Sequence, residues 1–279
     1  MIKKLFALIL TLFVLQGSMT IAAPAKKKDK NMTRTEICNK NMQELFGGSM
    51  TTTGNDVEMM QILQKYIFGE VFTIGNLDNK TRELITVVCL TTMQTLPQLK
   101  SHINGALNAG NSPLEVREAI YQCAPFIGFP KTLNALGVLN EVFKERGIQT
   151  PLESGVTVSE EDRYQKGKEI QEKLYGDEIK QAMKGLPDNI GDDAARFLTE
   201  VCFGDFYTRK GLDIKTREIL ALAVLVTKDD DITLKSHIKG SLKAGNSPET
   251  VAAVILQCMP YTGMPNALHA FNYLKAELK

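Results

Sequence analysis

The 279 residues include three histidines, and two of them sit in the same local sequence, Lys100-Ser101-His102-Ile103 and Lys235-Ser236-His237-Ile238. Upstream of each lies a second shared tetrapeptide, Lys80-Thr81-Arg82-Glu83 and Lys215-Thr216-Arg217-Glu218. A carboxylate that orients an imidazole, or exchanges a proton with it, is a competent general acid/base pair, because histidine titrates near neutral pH and an acidic partner adjusts it. Glu83 with His102, and Glu218 with His237, are therefore the candidate catalytic residues. Arg82 and Arg217, beside the glutamates, carry the planar fork that grips a substrate carboxylate through two hydrogen bonds. A structural reading stays open: Arg and Glu as an ion pair at a helix start, and His as a satisfied interfacial side chain.

The elements that hold these residues also come twice. Shifting the chain by about 135 positions superposes roughly 34 identities on about 79 aligned residues, a period of domain size. Phe68-Gly69 meets Phe203-Gly204, Ala109-Gly110-Asn111-Ser112-Pro113 meets Ala244-Gly245-Asn246-Ser247-Pro248, and Gln122-Cys123 meets Gln257-Cys258. Strand-like alternation is not sustained anywhere, and Gly, Pro and Asn cluster at a few points, so the chain reads as all-α. Thr95 or Leu96, before Pro97, opens a helix that runs to Ala109 and stops at Gly110. Ser112-Pro113-Leu114-Glu115 then reads as a capping box, which the second copy keeps without its glutamate, at Ser247 and Thr250. The helices bearing Glu83 and His102 are sequential, so an antiparallel pairing brings the two side chains face to face.

Lys3-Lys4, an apolar run of about 11 residues from Leu5 to Leu15, and the small residues Ser18, Ala22, Ala23 and Ala25 have the layout of a secretory signal peptide, too short to span a membrane. The reading divides the chain into a signal peptide over 1–24, a first domain over 32–146, a linker over 147–158 and a second domain over 159–279. Export to the periplasm or the medium follows. Net charge is +1, and about −1 once Lys3 and Lys4 are removed, which gives no electrostatic footprint for nucleic acid. Roughly 255 mature residues suffice for two ordinary cores, with Ser159-Glu160-Glu161-Asp162 capping the first helix of the second half.

One constellation is specific. Asp162-Arg163-Tyr164 with Gly167, Leu174-Tyr175-Gly176, Phe203-Gly204-Asp205-Phe206-Tyr207 with Arg209, Gly211-Leu212-Asp213, and Gln257-Cys258-Met259-Pro260-Tyr261 through Pro265 resemble the carboxymuconolactone decarboxylase family. The first half follows from Arg34 through Pro130 more loosely, with Glu70 for Asp205, Phe72 for Tyr207 and Ile74 for Arg209. The resemblance implies two tandem helical-bundle domains of the alkylhydroperoxidase-like type, related by an approximate two-fold, assembling as a trimer of chains, a homo-oligomer. It implies a small-molecule substrate and no cofactor. It also adds Tyr207 and Arg209 to the candidate substrate-binding residues and favours the second half as the working one. The family's peroxidase branch places two thiols between the glutamate and the histidine; here those slots hold Thr95 and Gln98, and Asp230 and Thr233.

Five cysteines remain, an odd number: Cys38, Cys89, Cys123, Cys202 and Cys258. Only Cys123 and Cys258 match across the repeat, which makes them the alternative redox pair. Each sits near a helix C-terminus, where the dipole disfavours a thiolate. Neither has a ligand at metal-binding spacing, so no metal site is expected. Three functions compete: an exported lyase acting on a lactone or other carboxylated substrate, a ligand-binding scaffold without turnover, and a thiol peroxidase.

Overall fold

A computed structural model of the chain describes residues 32–279. The expected signal peptide over 1–24 lies outside the described residues. Among the described residues every regular element is helical. The first half contains α1 (Arg34–Phe46), α2 (Val57–Gly69), a 3-10 turn (Val71–Thr73), α3 (Asn79–Met93), α4 (Leu96–Asn108), α5 (Pro113–Gln122), α6 (Ala124–Ile127) and α7 (Phe129–Glu145). The second contains α8 (Arg163–Tyr175), α9 (Glu178–Ala182), a 3-10 turn (Pro187–Asn189), α10 (Ile190–Phe197) running into a π-helix (Leu198–Tyr207), α11 (Ile214–Lys228), α12 (Asp231–Lys243), α13 (Pro248–Thr262) and α14 (Met264–Glu277).

Local chemistry sets the boundaries that matter for the site. Asp78 and Asp213 accept from the backbone N–H of Thr81 and Thr216, each at 2.8 Å, and so start α3 and α11 just ahead of the two Arg-Glu pairs. α3 ends at Gln94 in the left-handed conformation (φ 61°), and α4 begins two residues later, which turns the chain back on itself. Gly110 and Gly245 take φ of +94° and +96° past the ends of α4 and α12, a conformation that suits glycine. The capping box of Ser112 and Glu115 forms, whereas at Ser247 only one half of it remains, with Thr250 N–H donating to the Ser247 hydroxyl at 3.1 Å. Two features differ from the sequence reading. α8 opens at Arg163 rather than at Ser159, because Ser159 N–H donates to Asp162 in a separate turn. The π-helix has no sequence signal of its own, and its first-half counterpart, α2, is an ordinary α-helix.

α3 and α11 are the most buried helices and pack against each other, with α13 laid across α3 and α5 across α11. Instead of two ordinary cores the halves share one, running from Leu84–Leu90 of α3 through Ile219–Val226 of α11 to Val254 and Cys258 of α13. Smaller clusters lie under α1 and α2, and under α8 and the π-helix.

Buried polar contacts cross the seam in matched directions. Arg82 donates to Gln257 Oε1 at 2.9 Å, and Arg217 donates to Gln122 Oε1 at 2.9 Å. These reciprocal bonds are the signature of the approximate two-fold. One further set has no counterpart: Glu118, fully buried, accepts from Arg209 Nε at 2.8 Å, Arg209 Nη2 at 2.9 Å and Arg217 Nη2 at 3.4 Å. At the equivalent positions the other side of the seam has Ala253 and Ile74. Burial pushes Arg82 down to about 10, against the opposing charge of Asp78.

Removing the buried Glu118 charge takes the shared carboxylate from three guanidinium groups, Arg117, Arg209 and Arg217, so Glu118→Gln should lower stability by about 3 kcal/mol or more. Urea unfolding monitored by circular dichroism checks this, and an unchanged midpoint would contradict it. A second test concerns His269 of α14, which reaches Asp229 at 2.8 Å and Asp231 at 3.5 Å beside the α11–α12 turn. The hydrogen bond to Asp229 and the two carboxylate charges raise its pKa above the ordinary 6.5. A histidine raised on folding stabilises fully below its unfolded pKa and loses that contribution as pH climbs through the folded value. The melting-temperature gap between the native chain and His269→Asn should therefore be widest below about pH 6 and close at alkaline pH. A gap that widens with pH would refute the assignment.

Candidate active site

In the first half the tight α3–α4 turn sets Glu83 against His102, with Oε2 and Nδ1 2.8 Å apart. The Glu83 side chain is 0% exposed and that of His102 is 12% exposed, so the carboxylate is enclosed and the imidazole alone reaches toward the surface. With Nδ1 turned to the glutamate, Nε2 is the nitrogen left for a substrate. Gly105, one turn beyond His102, permits the approach: a Cβ there would lie 2.7 Å from Glu83 Oε2. Aromatic rings close the sides. Phe46 packs edge-on to the imidazole at 5.6 Å, Phe68 stacks at 6.4 Å, and Tyr261 arrives from the second half at 5.7 Å.

The second half has the same frame with a different inner lining. Glu218, also fully buried, accepts from Tyr207 Oη at 2.8 Å and from Tyr175 Oη at 2.5 Å. The Tyr175 hydroxyl also lies 2.8 Å from His237 Nδ1, while His237 and Glu218 are 3.4 Å apart. A phenol is thus inserted between carboxylate and imidazole. Burial, and then the nearby Glu218 charge, pushes both tyrosine pKa values well up, which keeps the hydroxyls protonated as donors. Gly240 leaves the room for Tyr175, and Phe126 covers His237 from the first half at 5.3 Å. Each histidine is therefore capped by a ring from the opposite half.

The lining differs because Phe46 and Phe72 take the places of Tyr175 and Tyr207. Glu83 Oε1 consequently meets no donor among the described residues. Burial, followed by the charge of Glu83, pushes the Tyr261 pKa well up.

The arginines expected to hold a substrate carboxylate are occupied. Arg82 donates to Leu77 O, Val71 O, Ile74 O and Gln257, with its guanidinium 5.5 Å above the Phe72 ring. Arg217 donates to Gln122, Glu118, Arg209 O and Lys210 O. Arg209 forms its bidentate fork with Glu118, and that carboxylate overcomes burial to raise the Arg209 pKa. The fork chemistry expected at these residues is thus directed at the protein itself, holding the loops before α3 and α11 and the seam. Tyr207, expected to touch substrate, is buried with its hydroxyl on Glu218.

All five cysteines are buried and unpaired by disulfide. Cys258 has Cys89 as its thiol neighbour, 3.7 Å away, rather than the repeat-matched Cys123, which donates to Ala119 O. Burial pushes the Cys123, Cys202 and Cys258 thiols up. The two second-half positions aligned with the peroxidase branch's thiols make a helix cap, Asp230 accepting from Thr233 N–H at 3.1 Å. Among the described residues the possible metal-ligating group is Asp229, Asp231 and His269, in which both imidazole nitrogens already face a carboxylate.

Sequence reasoning quoted Tyr175 and Tyr261 only for the family resemblance and gave them no site role, and it missed Glu118, the capping ring Phe126 and the glycines Gly105 and Gly240. The capping rings Phe126 and Tyr261 and the two glycines did leave a signal, since both pairs occupy matching positions of the repeat.

Comparison with known proteins bears on both halves. A family profile for carboxymuconolactone decarboxylases matches twice, over residues 58–141 and 192–276. A 4-carboxymuconolactone decarboxylase of Acinetobacter baylyi is 26% identical over 123 residues, 44% of this chain and 91% of that protein. A nitrosuccinic acid decarboxylase of Metarhizium robertsii is 28% identical over 85 residues, 30% of this chain and 59% of that one. A crystal structure from Burkholderia xenovorans, described as a gamma-carboxymuconolactone decarboxylase subunit, shares the fold at 22% identity and a TM-score of 0.50, covering 86% of this chain and 96% of its own. With both of its halves matched, over more than half its length, the chain belongs to the carboxymuconolactone decarboxylase family.

Proposed function

We propose that the protein is an exported small-molecule lyase of the decarboxylase type, in which a buried glutamate and a histidine carry out acid/base chemistry on a lactone or other carboxylated substrate. The observation that carries this reading is the 2.8 Å contact between a fully buried Glu83 and the partly exposed His102, with the same two residue types on the same two helices of the other half. The decarboxylase names of the Acinetobacter and Metarhizium relatives support the reaction class.

Loss of CO2 from a carbon next to a carbonyl leaves its bonding electron pair on an enolate. A proton delivered to that carbon completes the reaction, and His Nε2 is placed to deliver it once the imidazole is charged. The buried glutamate fixes the ring through Nδ1 and offsets the imidazolium charge, a preorganised arrangement that bulk water does not provide. Arg82, Arg209 and Arg217 act here as positioning residues that hold the α3 and α11 starts. Assembly as a trimer of chains belongs to the same proposal. Exposed Phe129 and Leu133 of α7 and their repeat equivalents Met264 and Leu268 of α14 offer matched apolar patches for it.

A lactone turnover screen on the native chain, followed by Glu83→Gln, His102→Ala, Glu218→Gln and His237→Ala, tests the chemistry. Loss of a working pair should cost about 10²-fold or more in kcat. Four variants that all stay within a few-fold of the native rate would leave only a binding scaffold. The thiol alternative meets buried Cys123 and Cys258 with raised pKa values, and thiolates are the reactive form. Cys123→Ser and Cys258→Ser are expected to change stability by about 1 to 3 kcal/mol and leave turnover within a few-fold. A reversible disulfide formed stoichiometrically on peroxide treatment would reinstate the peroxidase.

A further inference from the structure

We propose that the two sites hold different things: the first-half site is built to receive a hydroxyl group on an uncharged part of a small ring-bearing ligand, whereas the second-half site is filled by the protein's own phenols. This rests on the acid/base reading of the two glutamate–histidine pairs and reverses the sequence-based preference for the second half.

The second-half carboxylate is complete without a ligand. Glu218 receives one phenol on each oxygen, from Tyr207 at 2.8 Å and Tyr175 at 2.5 Å, and the Tyr175 hydroxyl continues the chain to His237 Nδ1 at 2.8 Å. The first-half carboxylate is not complete. Phe72 and Phe46 replace both phenols, His102 engages Glu83 Oε2, and Oε1 is left without a donor on a side chain that is 0% exposed. An acceptor buried in this way costs free energy unless a donor joins it, and a charged oxygen more than a neutral one. The rings of Phe46, Phe68 and Tyr261 around His102 make the neighbourhood apolar and flat-faced. A carboxylate placed against Oε1 would be repelled by Glu83, so the group that enters here is a hydroxyl or an enol on an uncharged part of the ligand. A bound water carries the same O–H, and the experiment separates the two.

Phenol is the probe, because it is the head group with which the second half fills itself. With only three histidines in the chain, the imidazole NMR signals of the full-length protein can be assigned by single substitutions. Phenol titration should move the His102 signals saturably and leave those of His237 in place. Phe72→Tyr, which sets a hydroxyl against Glu83 as Tyr207 does against Glu218, should weaken phenol binding about tenfold or more. Tyr207→Phe should make the His237 signals respond, and it tests the claim independently should Phe72→Tyr not fold. Equal responses at both histidines, a response at His237 alone, or unaltered binding in Phe72→Tyr would overturn the proposal. Signals that do not move in the native chain, with Phe72→Tyr raising the melting temperature, would assign the donor to water and overturn the ligand claim. Because the readout is binding, inactivity of the native chain in every turnover assay would sink the acid/base reading while leaving this one intact, and equal phenol responses would do the reverse.

Discussion

Two buried guanidinium groups govern this structure. A cation removed from water must find acceptors, and neither half can supply a complete set. Arg217 takes Gln122 and Glu118 from the first half; Arg82 takes Gln257 from the second and completes its shell with the carbonyls of its own loop. Those bonds lock α5 over α11 and α13 over α3. One helical turn beyond Gln122 stands Phe126, and one turn beyond Gln257 stands Tyr261. The contacts that neutralise the arginines therefore also deliver each capping ring to the histidine of the opposite half. The architecture of the glutamate–histidine sites and the packing between the halves are one constraint.

Within that constraint the two sides have diverged in charge. The ion pair of Glu118 and Arg209 on one side corresponds to the neutral pair Ala253 and Ile74 on the other, and Arg117, which also reaches Glu118 at 3.3 Å, corresponds to Ala252. Gly75 lies close against Ala253, with no space for a larger side chain without movement. The replacement of two tyrosines by phenylalanines around Glu83 has a different character, because it changes only the hydrogen-bonding of the buried carboxylate and preserves the aromatic wall.

Part of this was legible in the sequence because its causes are local. The opening of α4 before Pro97, the stop at Gly110 and the cap at Ser112 were readable, and an antiparallel helix pair then brings glutamate to histidine; the Asp78 and Asp213 caps and the left-handed Gln94 that set the ends of α3 and the start of α11 came from the structure. The arginine assignment went differently. A guanidinium beside a catalytic glutamate has the right fork for a substrate, but whether the fork faces a cavity or a seam depends on the partner half, and no local pattern encodes that. The site role of Tyr175 was hidden for a related reason: the register of the repeat shifts between α1 and α3, so Phe46 and Tyr175 fall out of step with the spacing that aligns the rest of the halves. The π-helix, whose extra residue per turn has no compositional mark, was likewise beyond a periodicity argument.

The central claim is that each half completes the other's site. Imidazole NMR on Tyr261→Ala and Phe126→Ala tests it most directly. The account predicts that Tyr261→Ala shifts the His102 signals and spares His237, and that Phe126→Ala does the opposite; if each substitution disturbs the histidine of its own half, the exchange of capping rings, and the architecture built on it, is wrong.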